Sequence, residues 1–295
     1  MLLKHVVEQC YAAWYIGGMA IITISRELAA LGDETAQELS RHLGYRFIGR
    51  GALEERIKSY GIGPQVLAKY DERKPGFFAG LLQDRDDYLH FLKMAMLEEA
   101  VAAGVAGCVF VGRGAYAVLA DIPGVVPIFL VSNRDIRIER VRSYFHCDEK
   151  KARSIIEQSD RDRAGFHKYF FESEWKEPGN YRVSLNTSCL PPPVCAQIIE
   201  QLCASTVSAE VETELAKRLA AALLAQQVVH RILYEREVRV HFLDVTAGDD
   251  GEVTLFGVTN SNVVADKAVL AAQEVPGVKK AVQAIQIVEE YNIIH

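Results

Sequence analysis

The fold is decided by residues 21–36, which read Ile-Ile-Thr-Ile-Ser-Arg-Glu-Leu-Ala-Ala-Leu-Gly-Asp-Glu-Thr-Ala. The apolar run from Ile21 to Ile24 is typical of a buried strand, and it breaks at Ser25. A helical pattern begins near Gly32 and continues to Leu43. A strand, a tight loop and a helix in this order aim backbone N–H groups and a helix N-terminus at one point, which is the arrangement that binds phosphate.

The same stretch lacks the side chains with which such a loop usually binds phosphate. A functional loop has further glycines and a lysine followed by serine or threonine. Here only Gly32 is present, and Asp33 stands where a cation is wanted. A carboxylate there repels phosphate oxygens, by several kcal/mol where solvent screens poorly. Whether the chain is an enzyme therefore depends on this loop.

Composition limits the class of protein. The 295 residues are 49% hydrophobic and 24% charged, which predicts a globular chain with room for two domains. The net charge of −6 argues against general nucleic-acid binding and against a polybasic membrane anchor. The six cysteines form no C-x-x-C pair, which favours reduced thiols and a cytoplasmic location over disulfides or a zinc site.

Residues 1–18 are interpreted as an N-terminal extension, with Met19 as an alternative start. Their apolar part has one preceding cation, Lys4, and no clean cleavage site, so a signal peptide is not favoured. No apolar run elsewhere reaches the roughly 18 residues that a transmembrane helix needs. We therefore expect no transmembrane segment.

Strand-like and helix-like segments alternate over residues 19–205. Continuous apolar strands separated by helices predict an α/β domain, with a parallel sheet flanked by helices on both faces. The predicted strands are Ile21–Ile24, Cys108–Gly112, Val126–Val131 and Val183–Asn186. The predicted helices are Asp33–Leu43, Asp86–Ala103, Arg134–Phe145, Asp148–Arg163 and Pro191–Ser205.

The pattern changes over residues 206–295, which predict a second, small α+β domain of the order αββαβ. A helix over Glu210–Ala225 is followed by an alternating strand in which Val238, Val240 and Phe242 are expected to face inward. Asp249-Asp250-Gly251 is a hairpin signal. The later elements are a strand over Val253–Val258, a helix over Asn262–Glu274 and a strand over Ala281–Val288.

Arg113, flanked by Gly112 and Gly114, follows a predicted parallel strand. Ligands of α/β sheets bind at the carboxyl ends of the strands, glycines let them approach the backbone, and guanidinium binds phosphate through two hydrogen bonds. The alternative is an arginine that merely reaches solvent from the end of a core strand.

Two further segments are rich in charge. Residues 134–163 carry nine cations, which on composition alone indicate a solvated surface crossed by salt bridges. Arg85 and Asp86 follow Asp84, which is a suitable cap for the N-terminus of the predicted central helix.

The first domain resembles the cytidylate-kinase-like family over about residues 19–204. The matching residues of the loop are Ile24, Ser25, Arg26, Glu27, Gly32, Glu34 and Ala36. Ala29, Ala30 and Leu31 replace positions of glycine type, and Asp33 replaces a basic residue. The resemblance implies the fold of the P-loop nucleoside monophosphate kinases, with a helical lid, here residues 134–163, that closes over the phosphoryl group.

The resemblance also implies roles for particular residues. Ser25, Arg26 and Gly32 would bind the donor phosphates. Arg113, Gly112 and Gly114 would bind the acceptor phosphate, and Arg85 and Asp86, beside Lys74–Phe78, its base or ribose. Arg161 and Arg163 of the lid, held by Asp160 and Asp162, would act in catalysis together with Arg26. The cofactors would be ATP and Mg²⁺, although no metal-ligand cluster is identifiable.

The second domain resembles a BON domain over about residues 208–289. The resemblance is carried by Val253-Thr254-Leu255, Gly257-Val258 and Val275-Pro276-Gly277-Val278-Lys279-Lys280-Ala281-Val282. It implies binding of a small ligand or self-association, and on its own it would allow a structural envelope role.

Two functions follow from the sequence. The first is a nucleoside monophosphate kinase that transfers phosphate from ATP to CMP or a related small acceptor. The second is a catalytically inactive nucleotide sensor whose BON-like domain binds a ligand or partner. Asp33 and the missing lysine favour the sensor, whereas Arg113 and the lid arginines favour the enzyme.

Overall fold

The computed structural model describes residues 18–62 and 82–288, apart from the side chains of 82–84 and 105. These residues form two compact units. The first unit comprises the chain up to Leu89 together with Ala102–Leu215, and the second comprises His90–Val101 together with the chain from Ala216. Of the predicted extension at residues 1–18, residues 1–17 lie outside the described residues.

A five-stranded sheet forms the centre of the first unit, and all its strands are parallel. The strand order is β2-β3-β1-β4-β5. The bounds are β1 Ile21–Arg26, β2 Arg46–Ile48, β3 Cys108–Val111, β4 Val125–Val131 and β5 Val183–Asn186. The predicted parallel sheet is confirmed; the sequence missed β2, a three-residue edge strand in which Arg46 and Phe47 are exposed.

Nine α-helices lie within the described residues. They are α1 Gly32–Leu43, α2 Arg50–Ser59, α3 Leu82–Ala103, α4 Ala115–Val118, α5 Arg134–Phe145, α6 Glu149–Phe171, α7 Pro192–Thr206, α8 Ala209–His230 and α9 Asn262–Gln273. The helix α6 continues eight residues beyond the predicted end at Arg163, because Phe166, His167 and Phe170 pack in the core. A π-helical turn, Arg231–Glu235, follows α8.

The core of the first unit explains why the strands read as unbroken apolar runs. Ile21, Ile22 and Ile24 of β1 are each at most 1% exposed, since both faces of the sheet are covered. On one face, Leu39 of α1 and Ile199 of α7 belong to the same apolar cluster as Ile22 and Ile24. Each such side chain stabilises the fold by about 1.5–3 kcal/mol relative to an exposed one.

The second unit contains a three-stranded sheet of order β6-β7-β8, with β6 His241–Ala247, β7 Glu252–Thr259 and β8 Lys280–Ile287. β6 pairs antiparallel with β7, whereas β8 pairs parallel with it. This confirms the prediction of a separate small α+β domain. Gly257 is needed in β7, since a Cβ there would lie 2.6 Å from Val240 Cγ1.

One predicted side-chain direction is wrong. Phe242 was expected to face inward with Val240, but it is 81% exposed. The register of β6 shifts between His241 and Asp244, and the φ angle of Phe242 is +52°. This bulge inserts one extra residue into the strand and reverses the alternation, which resumes with the buried Val245.

A chain of three polar side chains runs through the second unit. Gln226 Nε2 lies 2.6 Å from His90 Nδ1 and 3.3 Å from the carbonyl oxygen of His90. An amide nitrogen only donates, so Gln226 donates both to the carbonyl oxygen and to Nδ1, and His90 carries its proton on Nε2. That nitrogen lies 3.1 Å from Nδ1 of His230, to which it donates. These bonds hold the segment beginning at His90 in the second unit.

We expect this chain to make stability depend on pH. Burial, assisted by the charges of His230 and Lys93, lowers the pKa of His90 from 6.5 to about 3. The unfolded chain therefore binds a proton below pH 6.5 that the native protein takes up only near pH 3. The free energy of unfolding should fall as pH falls through this window, as urea denaturation at several pH values would measure.

The matched variants are His90→Gln and His42→Gln. His42 lies on α1 with its side chain partly exposed, beside Glu38. His90→Gln should flatten the pH dependence between about pH 6 and 4 more than His42→Gln does. Equal slopes in the two variants would contradict the assignment.

Candidate functional site

The loop of residues 27–32, between β1 and α1, has an unusual backbone. Ala29 and Leu31 adopt φ angles of +62° and +54°. This left-handed conformation costs an L-residue roughly 1–2 kcal/mol relative to the right-handed one, and glycine adopts it freely. The loop therefore has the backbone that glycines favour at two positions where the sequence provides larger residues.

Two arginines of α5 bind the carbonyl groups of this loop. Arg137 Nε donates to the carbonyl oxygen of Leu28 at 2.8 Å, and Arg140 Nη1 donates to that of Ala29 at 2.9 Å. Arg140 Nη2 also donates to the carbonyl oxygen of Thr187 at 2.7 Å. The guanidinium groups are thus held at the loop by bonds on more than one side.

Carboxylates fix these cations in turn. Arg137 makes a two-bond pair with Asp160, at 3.0 and 2.7 Å, and lies 3.3 Å from Glu27 Oε1. Lys176 Nζ donates to Glu27 at 2.6 Å. Burial acts to raise the pKa of Asp160, but the hydrogen bonds and charges of Arg137 and Lys176 hold it below its usual value. With Arg140, three cations face two carboxylates beside the loop.

The predicted donor residues lie on the loop itself. Arg26 Nη2 lies 3.7 Å from Asp33 Oδ1, so each partly neutralises the other. A Cβ on Gly32 would lie 2.5 Å from Cγ of Arg26, which explains why glycine starts α1. Ser25 is buried at the end of β1. Burial raises the pKa of Tyr181, and a hydrogen bond with Ser25 opposes that rise.

The predicted catalytic arginines both lie on α6. Arg161 is exposed and donates to Gln158 at 2.9 Å, whereas Arg163 is 7% exposed and donates to Ser159 at 2.7 Å. Asp160 accepts hydrogen bonds from Arg137 and Lys176, and Asp162 accepts from Gln158. A catalytic role for Arg161 and Arg163 stays a prediction.

The structure brings Arg137 and Arg140 to the loop instead, and the sequence analysis did not single them out. Their spacing of three residues places them on one face of a helix, and that was the available signal. It was weak because seven other cations share the lid.

The acceptor residues predicted at the end of β3 form a left-handed run. Gly112, Arg113 and Gly114 have φ angles of +77°, +56° and +69°. Arg113 is 4% exposed, and its Nη2 donates to Glu54 Oε1 at 2.6 Å. Its Nη1 donates to the hydroxyl group of Tyr88 at 3.2 Å. Arg113 is therefore a buried, paired cation and does not simply reach solvent.

Glu54 is a site residue that the sequence reasoning missed. It lies on α2, which the sequence analysis did not predict, and it also accepts from Arg50 Nε at 2.6 Å. One carboxylate thus serves two guanidinium groups.

The other predicted acceptor residues lie at the start of α3. Arg85 Nη2 donates to the carbonyl oxygen of Phe170 at 3.3 Å, and its guanidinium lies 5.5 Å from the ring centre of Tyr169. Asp86 is exposed. Recognition of a base or ribose by these residues stays a prediction, and Lys74–Phe78 lies outside the described residues.

The two loops meet at one edge of the sheet. β1 and β3 are parallel neighbours, and the backbone N–H of Gly112 donates to the carbonyl oxygen of Ile24 at 3.0 Å. A family model described as the cytidylate kinase-like family matches residues 21–189, which is more than half of the chain. The chain belongs to the cytidylate kinase-like family. A BON domain model matches residues 208–289.

Solved structures of other proteins are similar to part of the chain. An uncharacterized protein from Eubacterium ventriosum ATCC 27560 is 20% identical to this chain, with a TM-score of 0.50. The match covers 63% of this chain and 99% of that protein's chain. Shikimate kinase from Bacteroides thetaiotaomicron is 18% identical with a TM-score of 0.39, covering 62% and 98%. Shikimate kinase from Acinetobacter baumannii, in complex with shikimate, is 15% identical with a TM-score of 0.39, covering 64% and 96%. No curated protein matches the chain.

The parallel sheet with its flanking helices is the P-loop kinase fold. Within residues 18–62 and 82–288, no group of three or more His, Cys, Asp or Glu side chains could hold a metal ion. In that same part of the chain, no helix has the length and apolar character to cross a bilayer.

The strain in the loop is testable by a neighbouring pair of substitutions. Ala29→Gly should raise the free energy of unfolding by up to about 1 kcal/mol, because glycine removes the cost of the left-handed conformation. Ala30→Gly is the control. Ala30 is fully buried with an ordinary φ angle, so the same change should lower stability by about 1 kcal/mol. Equal destabilisation by both changes in urea unfolding would show that Ala29 is not strained.

Proposed function

We propose that the first unit is a kinase-type phosphotransferase that moves a phosphoryl group from ATP to a small phosphorylated acceptor, with CMP as the first candidate. The observation that carries this proposal is the convergence of cations at one edge of the sheet. Arg137 and Arg140 lie at the loop after β1, and Arg113 lies at the end of the adjacent β3. Kinases catalyse by positioning and charge neutralisation, which such an arrangement provides.

The donor phosphates would bind at the N-terminus of α1. The backbone N–H groups from Gly32 onward begin this helix, and an anion there is favoured by the helix dipole. Arg137, Arg140 and Lys176 would provide the positive charge that a loop lysine provides in other kinases. Ser25 and Arg26 would border the same phosphates, and Arg161 and Arg163 remain candidates for contact after movement of α6.

The described residues are better suited to binding the phosphates of ATP than to holding a metal ion by themselves. Mg²⁺ keeps several waters and commonly binds through one or two carboxylates and the substrate's phosphates. The described residues include no ligand cluster for it, so the phosphates would hold the ion. Mg²⁺ would neutralise phosphate charge when bound, and the residues described above would orient the nucleotide.

The acceptor phosphate would bind Arg113. In the structure Glu54 holds this guanidinium, and Arg50 lies on the same carboxylate. An incoming phosphate would replace Glu54 on Arg113, and Glu54 would keep its bond to Arg50. This exchange leaves no charge unpaired, which keeps its cost low.

A second function, a nucleotide sensor without turnover, is supported by Asp33. This exposed carboxylate lies in the first turn of α1 and binds Arg26. A carboxylate there competes with the donor phosphates for the same positive potential. In this case the acceptor side alone would bind a nucleotide.

Calorimetry separates the two functions. ATP with Mg²⁺ and CMP are titrated separately into the full chain, and ADP formation is then assayed with both present. The enzyme requires binding of both ligands and turnover that depends on CMP. Binding of CMP without binding of ATP would contradict the kinase and support the nucleotide sensor. Binding of neither ligand would contradict both functions. Asp33→Lys should tighten ATP binding about tenfold by removing the repulsion.

Arg140→Ala and Arg134→Ala provide a matched pair for the same assay. Both arginines lie on α5, but Arg134 is exposed and pairs with Glu157, away from the loop carbonyls. Arg140→Ala should lower kcat/KM by about tenfold to a hundredfold, and Arg134→Ala should not change it. Arg140→Lys restores the charge and tests whether the loss reflects charge or folding.

Glu54→Gln tests the acceptor side. Removing the carboxylate charge weakens its hold on Arg113, so CMP should bind several-fold more tightly. Glu55→Gln is the control, because Glu55 is the next residue on α2 and pairs with the exposed Lys58. The contrary result is weaker CMP binding in Glu54→Gln than in Glu55→Gln, with the fold intact by circular dichroism. It would contradict the assignment of Arg113 to the acceptor site.

A further inference from the structure

The second unit contains a cleft that the proposed phosphotransferase does not use. Its volume is about 270 Å³. One wall is a single face of α8, formed by Lys217, Ala220, Ala221 and Leu224. The opposite wall is formed by the turn between β6 and β7, residues 248–251, and by Gly277 and Lys279 before β8.

Backbone hydrogen bonds fix the wall opposite α8. In the turn, the N–H of Gly248 donates to the carbonyl oxygen of Glu252 at 2.8 Å, and the N–H of Gly251 donates to that of Gly248 at 3.1 Å. The N–H of Lys279 donates to the carbonyl oxygen of Gly251 at 2.8 Å, joining the turn to the neighbouring loop. The cleft is therefore preformed, which lowers the entropic cost of binding.

Two glycines keep this wall free of side chains. Gly251 has a φ angle of +84°, and a Cβ there would lie 2.6 Å from the carbonyl oxygen of Gly277. Gly277 has a φ angle of +100°. Both φ angles strongly favour glycine, and the bare backbone at these positions lets a ligand approach closely.

The cations of the cleft are available to a ligand. Within the described part of the chain, the side chains of Lys217 and Lys279 have no ion pair or hydrogen bond. The stem of Lys279 passes over Gly251, with Cγ 3.2 Å from the place of a Cβ there. The two lysines thus approach the cleft from its opposite walls.

The carboxylates and apolar side chains of the cleft restrict the kinds of ligand that it could bind. Asp250 Oδ1 accepts from the N–H of Glu252 at 3.0 Å, so this carboxylate already serves the turn. Asp249 is exposed at the cleft and can accept hydrogen bonds from hydroxyl groups. Ala220, Ala221 and Leu224 offer an apolar surface between these polar groups.

We propose that this cleft binds a ribonucleoside monophosphate. Lys217 and Lys279 would bind the phosphate, Asp249 would accept from the ribose hydroxyls, and the apolar face of α8 would contact the base. The volume lies just below the roughly 300–1,000 Å³ of typical small-molecule pockets, which suits one nucleotide and not a dinucleotide. The proposal does not require catalysis in the first unit.

The test is a titration of the ¹⁵N-labelled full chain, followed by amide signals in NMR spectra. CMP should shift the signals of Gly248, Gly251 and Gly277 saturably. The signals of Gly112 and Gly114 report CMP binding at the proposed acceptor site of the first unit. The absence of CMP binding at one site is therefore detected independently of binding at the other. Cytidine and inorganic phosphate, titrated separately, should bind the cleft at least tenfold more weakly than CMP, and 2′-deoxy-CMP several-fold more weakly.

The variant is Lys217→Ala with Lys279→Ala, and the control is Lys267→Ala, an exposed lysine of α9 outside the cleft. The double variant should weaken CMP binding at the three glycines at least tenfold, with unchanged signals elsewhere in the second unit, and the control should bind as the native chain does. Three results would overturn the proposal: no saturable shift at these glycines, equal affinity for inorganic phosphate and CMP, or unchanged affinity in the double variant.

Discussion

Glu27 is a buried carboxylate at the carboxyl end of β1, only 8% exposed. A buried charge is costly unless ion pairs and hydrogen bonds satisfy it. Its Oε2 accepts from the N–H of Ser132 at 3.2 Å, at the end of β4. Its Oε1 faces Arg137 at 3.3 Å and accepts from Lys176 at 2.6 Å. This one carboxylate therefore ties α5 and the segment after α6 to the loop of residues 27–32.

The pairing of Glu27 with Arg137 and Lys176 sets the arrangement of charges around the loop. Because Arg137 serves Glu27 and Asp160 together, its guanidinium is oriented before any ligand arrives, and Arg140 lies one turn further along α5. Preorganised charges of this kind stabilise phosphoryl groups without reorganisation during the reaction. The loop lacks a lysine, but cations from a distant part of the sequence lie beside it.

The pairing at the end of β3 follows the same principle with different elements. Arg113 is held in a strained, left-handed backbone between two glycines and is paired with Glu54. The sequence identified Arg113 from its flanking glycines, but it did not identify Glu54. The helix that carries Glu54 has only two buried residues, Leu53 and Ile57, so its apolar periodicity is weak.

The sequence alone determined the parallel sheet, the second domain and the position of both loops, because unbroken apolar runs and glycine pairs are local signals. It also located Arg26 and Arg113 at the ends of strands and Gly32 at the start of a helix. Only the tertiary structure decided which cations serve the loop. Nine cations in residues 134–163 look alike in sequence. Hydrogen bonds to the loop carbonyls distinguish Arg137 and Arg140, since these partners lie far apart along the chain and meet only when the sheet has formed.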